Sequence, residues 1–285
     1  MGYISHEMTR ASIEIDEHGV ALLTIRNPKQ MNALDMEMIR DIGEVLTKIA
    51  GDPDVRALVF TGEGDAFSAG GNMQAMSESN SASDLGPLSR PLWNVPNMQA
   101  RERLELKQTT GLRIMRQLYE LEKPTIAAIN GPAAGAGMDH ALWCDLRVMA
   151  DDTYMVNSYV RVGLVPFDGA MWLLPRMVGL TRAMEYMYTG RKIPADECLQ
   201  VGLVNRLVPK GDVLSASLEW ARELANGPRV AHTLIKYITH ECLTLDHVDA
   251  LDLSYRTRDA VFTSADHHEG VLAFLERRAP RFQGR

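Results

Sequence analysis

The sequence predicts an α/β fold, with strand and helix repeats forming a core over residues 1–201 and a helical region over 202–285. Three observations predict it. Val55-Arg56-Ala57-Leu58-Val59-Phe60-Thr61 and Thr125-Ile126-Ala127-Ala128-Ile129 are apolar and β-branched enough to be buried strands. Met36 to Ala50 places Met38, Ile42, Val45, Leu46 and Ile49 at helical spacing. From Gly202 onward, strand-like runs give way to helical ones.

In chain order, residues 12 to about 60 read as strands around the Met36 helix, for which Asp35 is the expected N-cap. Ser77 to Pro96 is rich in Ser, Asn and Pro and reads as a long loop, either functional or a surface insertion. Arg101 to Tyr119 forms a polar-faced helix that Lys123-Pro124 stops. Helices are then expected over Asp212 to Asn226, Arg229 to Leu243 and Asp246 to Phe262, with a last one before Pro280.

Composition narrows the function classes. A formal charge of −7 argues against nonspecific nucleic-acid binding, which needs a basic surface. Cys144, Cys198 and Cys242 are widely spaced, so neither a disulfide framework nor a zinc site is suggested, and a reducing cytoplasm is the expected location. No basic-then-apolar signal and no apolar span of membrane length occurs, so no membrane partner is expected.

Each strand-like run ends in a small-residue turn, Phe67-Ser68-Ala69-Gly70-Gly71-Asn72 and Asn130-Gly131-Pro132-Ala133-Ala134-Gly135-Ala136-Gly137-Met138-Asp139. Gly and Ala leave backbone N–H groups uncovered, and a turn that opens a helix adds the positive end of its dipole. Two such turns, if they converge, hold an oxyanion. Gly135-Ala136-Gly137 lacks the third small residue of a dinucleotide fingerprint, since His140 stands there. Ser68 reads as a turn residue rather than a hydrolase nucleophile, because the first Gly of the elbow is missing.

Over nearly its whole length the chain resembles the crotonase superfamily, the enoyl-CoA hydratase/isomerase family. The matching blocks are Asn27-Pro28-Lys29-Gln30-Met31-Asn32-Ala33-Leu34, both turns, Gly163-Leu164-Val165-Pro166, Thr189-Gly190-Arg191, Ala195 to Asn205 and Glu269 to Arg278. The resemblance implies a crotonase-like spiral of ββα repeats with a helical C-terminal region that packs in trimers or dimers of trimers. It implies an acyl-CoA substrate with no separate metal or redox cofactor, coenzyme A being part of the thioester. It also implies that the Ala69 and Ala136 amides receive the thioester oxygen, a contribution of ~3 kcal/mol per donor to an enolate-like transition state. Ala33, Gly70, Gly71 and Asn72 are the further expected substrate contacts, and the 77–96 loop is an expected gate.

Hydratases of the family bracket a water with two glutamates. Asp139 and Tyr159 stand at the matching positions, and Asp168 in Phe167-Asp168-Gly169-Ala170 supplies a carboxylate where simple hydratases carry small residues. Asp139, Tyr159 and Asp168 are therefore the candidate proton-transfer groups, Tyr159 with the smallest share because a phenol is a poor base near neutrality. Against this stand a turn cap for Asp139, a packed strand residue for Tyr159 and a helix N-cap for Asp168. His140 reads as a packed core histidine, and His232, His240, His247, His267 and His268 as residues of solvated helix faces. Arg277, Arg278, Arg281 and Arg285 read as a solvated basic tail. The function expected is hydration or isomerisation of an unsaturated acyl-CoA. A C–C hydrolase of a cyclic β-diketone and a noncatalytic binding protein are the alternatives.

Overall fold

The computed structural model describes residues 6–74, 77 and 112–284. The expected gate over 78–96 and the expected helix over 101–111 lie outside the described residues. A seven-stranded sheet runs through the molecule in the order β1 (His6–Glu7), β2 (Ala11–Ile15), β3 (Val20–Ile25), β4 (Ala57–Gly62), β5 (Thr125–Ile129), β7 (Leu146–Ala150) and β10 (Arg206–Val208). Its first three strands pair antiparallel and every later pair is parallel. A second sheet joins β6 (Ala133–Ala134), β8 (Tyr154–Val156) and β9 (Lys192–Pro194).

Alternation along the central strands explains their unbroken apolar runs. Ala21, Leu23, Leu58, Phe60, Ala127 and Ile129 join one buried cluster, whereas Val20, Ala57, Val59, Ile126 and Ala128 join another. Successive side chains of a strand point to opposite faces, so a sheet covered on both sides must be apolar at every position. One face is covered by α1 (Met36–Gly51), whose Met38, Ile42, Val45, Leu46 and Ile49 are all buried, as its spacing predicts. Asp35 caps it by accepting the Met38 amide at 2.8 Å. Next come α2 (Leu112–Glu120), α3 (Ala136–Trp143), α4 (Ala170–Val178), α5 (Leu180–Thr189) and α6 (Ala195–Gln200).

The other face is covered by α7 (Val213–Ala225), which buries Val213, Ala221 and Ala225 there. The seventh strand and its covering helix thus come from beyond residue 201, so the sheet continues across the expected 201/202 boundary. The remaining helices are α8 (Arg229–Cys242), α9 (His247–Arg256), α10 (Arg258–Phe262) and α11 (Ala265–Glu276). The stretch expected as one helix to Phe262 is two, interrupted at Thr257. No helix among the described residues is long and apolar enough to cross a membrane.

Candidate active site

The two small-residue turns meet. Ser68 pairs with Ala133 in an isolated bridge, and the Ala134 amide donates to the Ser68 carbonyl at 2.9 Å. Gly70 has φ +84°, and a Cβ there would lie 2.5 Å from the Ala134 carbonyl oxygen and 3.3 Å from the Ala136 nitrogen. At Gly137 a Cβ would come within 2.6 Å of Ser68. Glycine at both positions is what lets the turns close on each other.

Hydrogen bonding decides which amides remain for a ligand. In the first turn Ser68 N–H donates to the Pro132 carbonyl, Gly70 N–H to Ser68 Oγ and Asn72 N–H to the Leu34 carbonyl. Ala69 N–H donates to the Met31 carbonyl at 2.8 Å. The expected Ala69 donor is therefore engaged, and the amide without an acceptor among the described residues is Gly71, two positions on. In the second turn, Gly135 N–H donates to the Val156 carbonyl, whereas Ala136 opens α3 and so has no intrahelical acceptor.

Gly71 and Ala136 line one cavity of about 360 Å³, together with His140, Tyr159, Phe167 and Asp168. Ala69 also lines it; Ala33, Gly70 and Asn72 do not, and Leu34 takes the place expected for Ala33. Ser68 is a turn residue, fully buried with Oγ donating to the Asn32 carbonyl.

Asp139, Tyr159 and Asp168 are brought together. Tyr159 begins a 3-10 turn that ends at Gly163, with Phe167 packed edge-on against its ring. Its hydroxyl lies 2.8 Å from Asp139 Oδ2 and 2.8 Å from Asp168 Oδ2. A phenol has one proton and can donate to one carboxylate only. The second carboxyl must then carry a proton of its own and donate to the phenolic oxygen. Burial raises the pKa of Asp139 well above the usual carboxylate range, and the neighbouring Asp168 charge adds to this against a partial offset from the Tyr159 hydroxyl. Asp168 is raised by burial too, with the Tyr159 hydrogen bond opposing. Asp139 is fully buried and absent from the cavity wall, whereas Asp168 forms part of it. The shared proton belongs on Asp139, and Tyr159 donates to an ionised Asp168.

Asp168 is not a helix cap. The residue preceding α4 is Gly169, without a side-chain cap bond. Trp143, which the sequence did not single out, fixes Asp168 from behind: its Nε1 donates to the Asp168 carbonyl at 2.8 Å. Its ring also fills the space over Gly169, where φ is +119° and a Cβ would approach within 2.5 Å.

His140 is buried as expected, yet it lines the cavity. Its place was readable from the i, i+4 relation to Ala136 on one helix face. Burial pushes its pKa down to about 4 from 6.5, so it is neutral at pH 7. The unfolded chain takes up this proton near pH 6.5 and the folded chain only near 4, so folding stability is lost as pH falls through that window, by about 3 kcal/mol at most. His140→Leu should flatten this part of a plot of Tm against pH, which calorimetry at stepped pH measures.

Among the described residues, no group of three His, Cys, Asp or Glu side chains is placed to hold a metal. His240 is not on a solvated face: it is half-buried and stacks on Tyr119 at 4.1 Å. Arg278 is held by Glu269 and Glu276.

Against known proteins, the family model described as enoyl-CoA hydratase/isomerase matches residues 16–95 and 93–285. The crotonyl-CoA hydratase of Syntrophomonas wolfei is 33% identical over 267 residues, covering 93% of this chain and 95% of that protein. The 1,2-epoxyphenylacetyl-CoA isomerase of Escherichia coli is 32% identical, covering 94% and 97%. A solved enoyl-CoA hydratase from Polaromonas sp. JS666 superposes with a TM-score of 0.81 at 30% identity, covering 99% of each chain.

Proposed function

Because this chain belongs to the enoyl-CoA hydratase/isomerase family, and is an enzyme of it, we propose that it moves a proton along an unsaturated acyl-CoA, converting a 3-enoyl to a 2-enoyl thioester. The thioester oxygen sits between the Gly71 and Ala136 amides. Donors fixed there before the reaction stabilise the dienolate that forms when Cα loses its proton. Asp168 takes that proton and returns one at Cγ. Tyr159 donates to the Asp168 carboxylate throughout, and the neutral Asp139 behind it keeps the phenolic proton directed forward.

The observation that carries this reading is the Tyr159 hydroxyl lying between two carboxyls, only one of which meets the cavity. Hydration needs one group to deprotonate water and a second to protonate Cα. Among the described residues the cavity wall holds one carboxylate, Asp168, and that suits a proton shuttle instead. Relatives named for CoA thioesters support this substrate class over a cyclic β-diketone. To test the assignment, purified enzyme is offered a 3-enoyl-CoA and a 2-enoyl-CoA in separate assays. Conversion of the first to the second, with little 3-hydroxyacyl-CoA from either, is the expected outcome; 3-hydroxyacyl-CoA as the main product means a hydratase.

The enzyme assembles as a trimer or a dimer of trimers. Support comes from the C-terminal helices, where Leu251, Tyr255, Phe262, Phe274 and Leu275 are exposed, Phe274 to 82%. Burying such surface between subunits contributes ~25 cal/mol per Å² of apolar area. Sedimentation equilibrium at micromolar concentration should return three or six chains, and a monomer contradicts the assembly.

A further inference from the structure

His140 carries a feature that proton transfer does not use. Its side chain is 2% exposed, and neither ring nitrogen makes a hydrogen bond among the described residues; Nδ1 is cut off from solvent as well. A neutral imidazole has one N–H donor and one acceptor nitrogen. Leaving such groups buried and unpaired is unfavourable, and native structures rarely keep them without a use. This residue lies in the wall of the reaction cavity, one helical turn beyond the Ala136 amide.

We propose that His140 is a specificity-determining residue that hydrogen-bonds a neutral oxygen substituent, a hydroxyl or ketone, on the acyl chain of the substrate. The inference rests on the acyl-CoA reading above and deepens it. Four residues of helix rise by ~6 Å, and a helical side chain tilts toward the N-terminus. The imidazole therefore lies a few carbons along the chain from a thioester oxygen at Ala136, near the δ carbon. Phe60 stands beside the ring at 6.4 Å, and a residue only 2% exposed is a poor host for a charged substituent. A plain alkyl chain would cover Nε2, the nitrogen not sealed from solvent, without giving it a partner.

The test compares two 3-enoyl-CoA esters that differ only in a δ-hydroxyl or a δ-methyl group. Wild-type enzyme should favour the hydroxyl ester in kcat/KM by ~10- to 100-fold, as expected for a buried pair satisfied against one left open. His140→Leu should abolish or reverse that preference, chiefly by lowering kcat/KM for the hydroxyl ester. Its Tm should rise without ligand, because a buried unpaired nitrogen, Nδ1, is removed. A wild-type enzyme indifferent to the substituent overturns the inference whatever the variant does, and so does an unchanged preference in His140→Leu. If neither ester binds in calorimetry, the acyl-CoA reading falls and the inference with it; binding and turnover without preference remove His140's role alone.

Discussion

Replacing Asp168 by Asn lowers kcat by ~10²- to 10⁴-fold, the usual effect of removing a general acid or base, and leaves affinity for the CoA thioester nearly unchanged. The amide keeps the shape of the side chain and can still accept from Tyr159, but it cannot take a proton from Cα. Binding through the Gly71 and Ala136 amides does not depend on that proton. Steady-state kinetics beside calorimetry with an unreactive CoA thioester separates the two quantities. A loss in KM with kcat intact would mean that Asp168 contributes uniform binding only.

Tyr159→Phe has the second large effect, against the smaller share its phenol suggests in the sequence. The hydroxyl is the group that lets a buried and a half-buried carboxyl stand on either side of it at 2.8 Å each. Without it the fully buried Asp139 loses its side-chain partner, and Asp168 loses the hydrogen bond that holds its pKa down. A buried polar group left unpaired costs ~1–3 kcal/mol of folding stability, and kcat should fall by ~10²-fold or more, at the scale of a lost proton-transfer group. Because Asp168 acts ionised, raising its pKa moves the acidic limb of the kcat profile to higher pH. Asp139→Asn, whose N–H can donate to the phenolic oxygen in place of the carboxyl proton, should lower kcat by no more than about 10-fold. Equal losses in the two variants would contradict the proton placement.

Much of the fold is legible in the sequence because its signals are local. The runs over β4 and β5 are apolar at every position because both faces are covered, and the spacing of Met38, Ile42 and Ile49 with Asp35 before it marks α1 in type and in start. The small second sheet and the strand Arg206–Val208 depend on partners far along the chain, and strands of two or three residues carry no period of their own. At the site, the uncovered amides of the turns are readable from their residue types, whereas their meeting rests on the long-range Ser68–Ala133 bridge. Which amide is left open is not readable either: the Met31 carbonyl, brought in by another segment, engages Ala69 and leaves Gly71. The carboxylates are likewise legible as a set, whereas their order, with Asp139 behind Tyr159 and Asp168 in front, follows from how α3 and the Tyr159 turn pack.

Exchange of the α-proton of a 3-enoyl-CoA in deuterated water, followed by proton NMR in wild-type and Asp168→Asn enzyme, tests most directly whether Asp168 draws a proton into a dienolate held by Gly71 and Ala136. The account predicts deuterium at Cα of recovered substrate or at Cγ of product with wild-type enzyme, and loss of that exchange by ~10²-fold or more in the variant. A bound thioester whose α-proton does not exchange in wild-type enzyme, or that exchanges at the wild-type rate in Asp168→Asn, would contradict it.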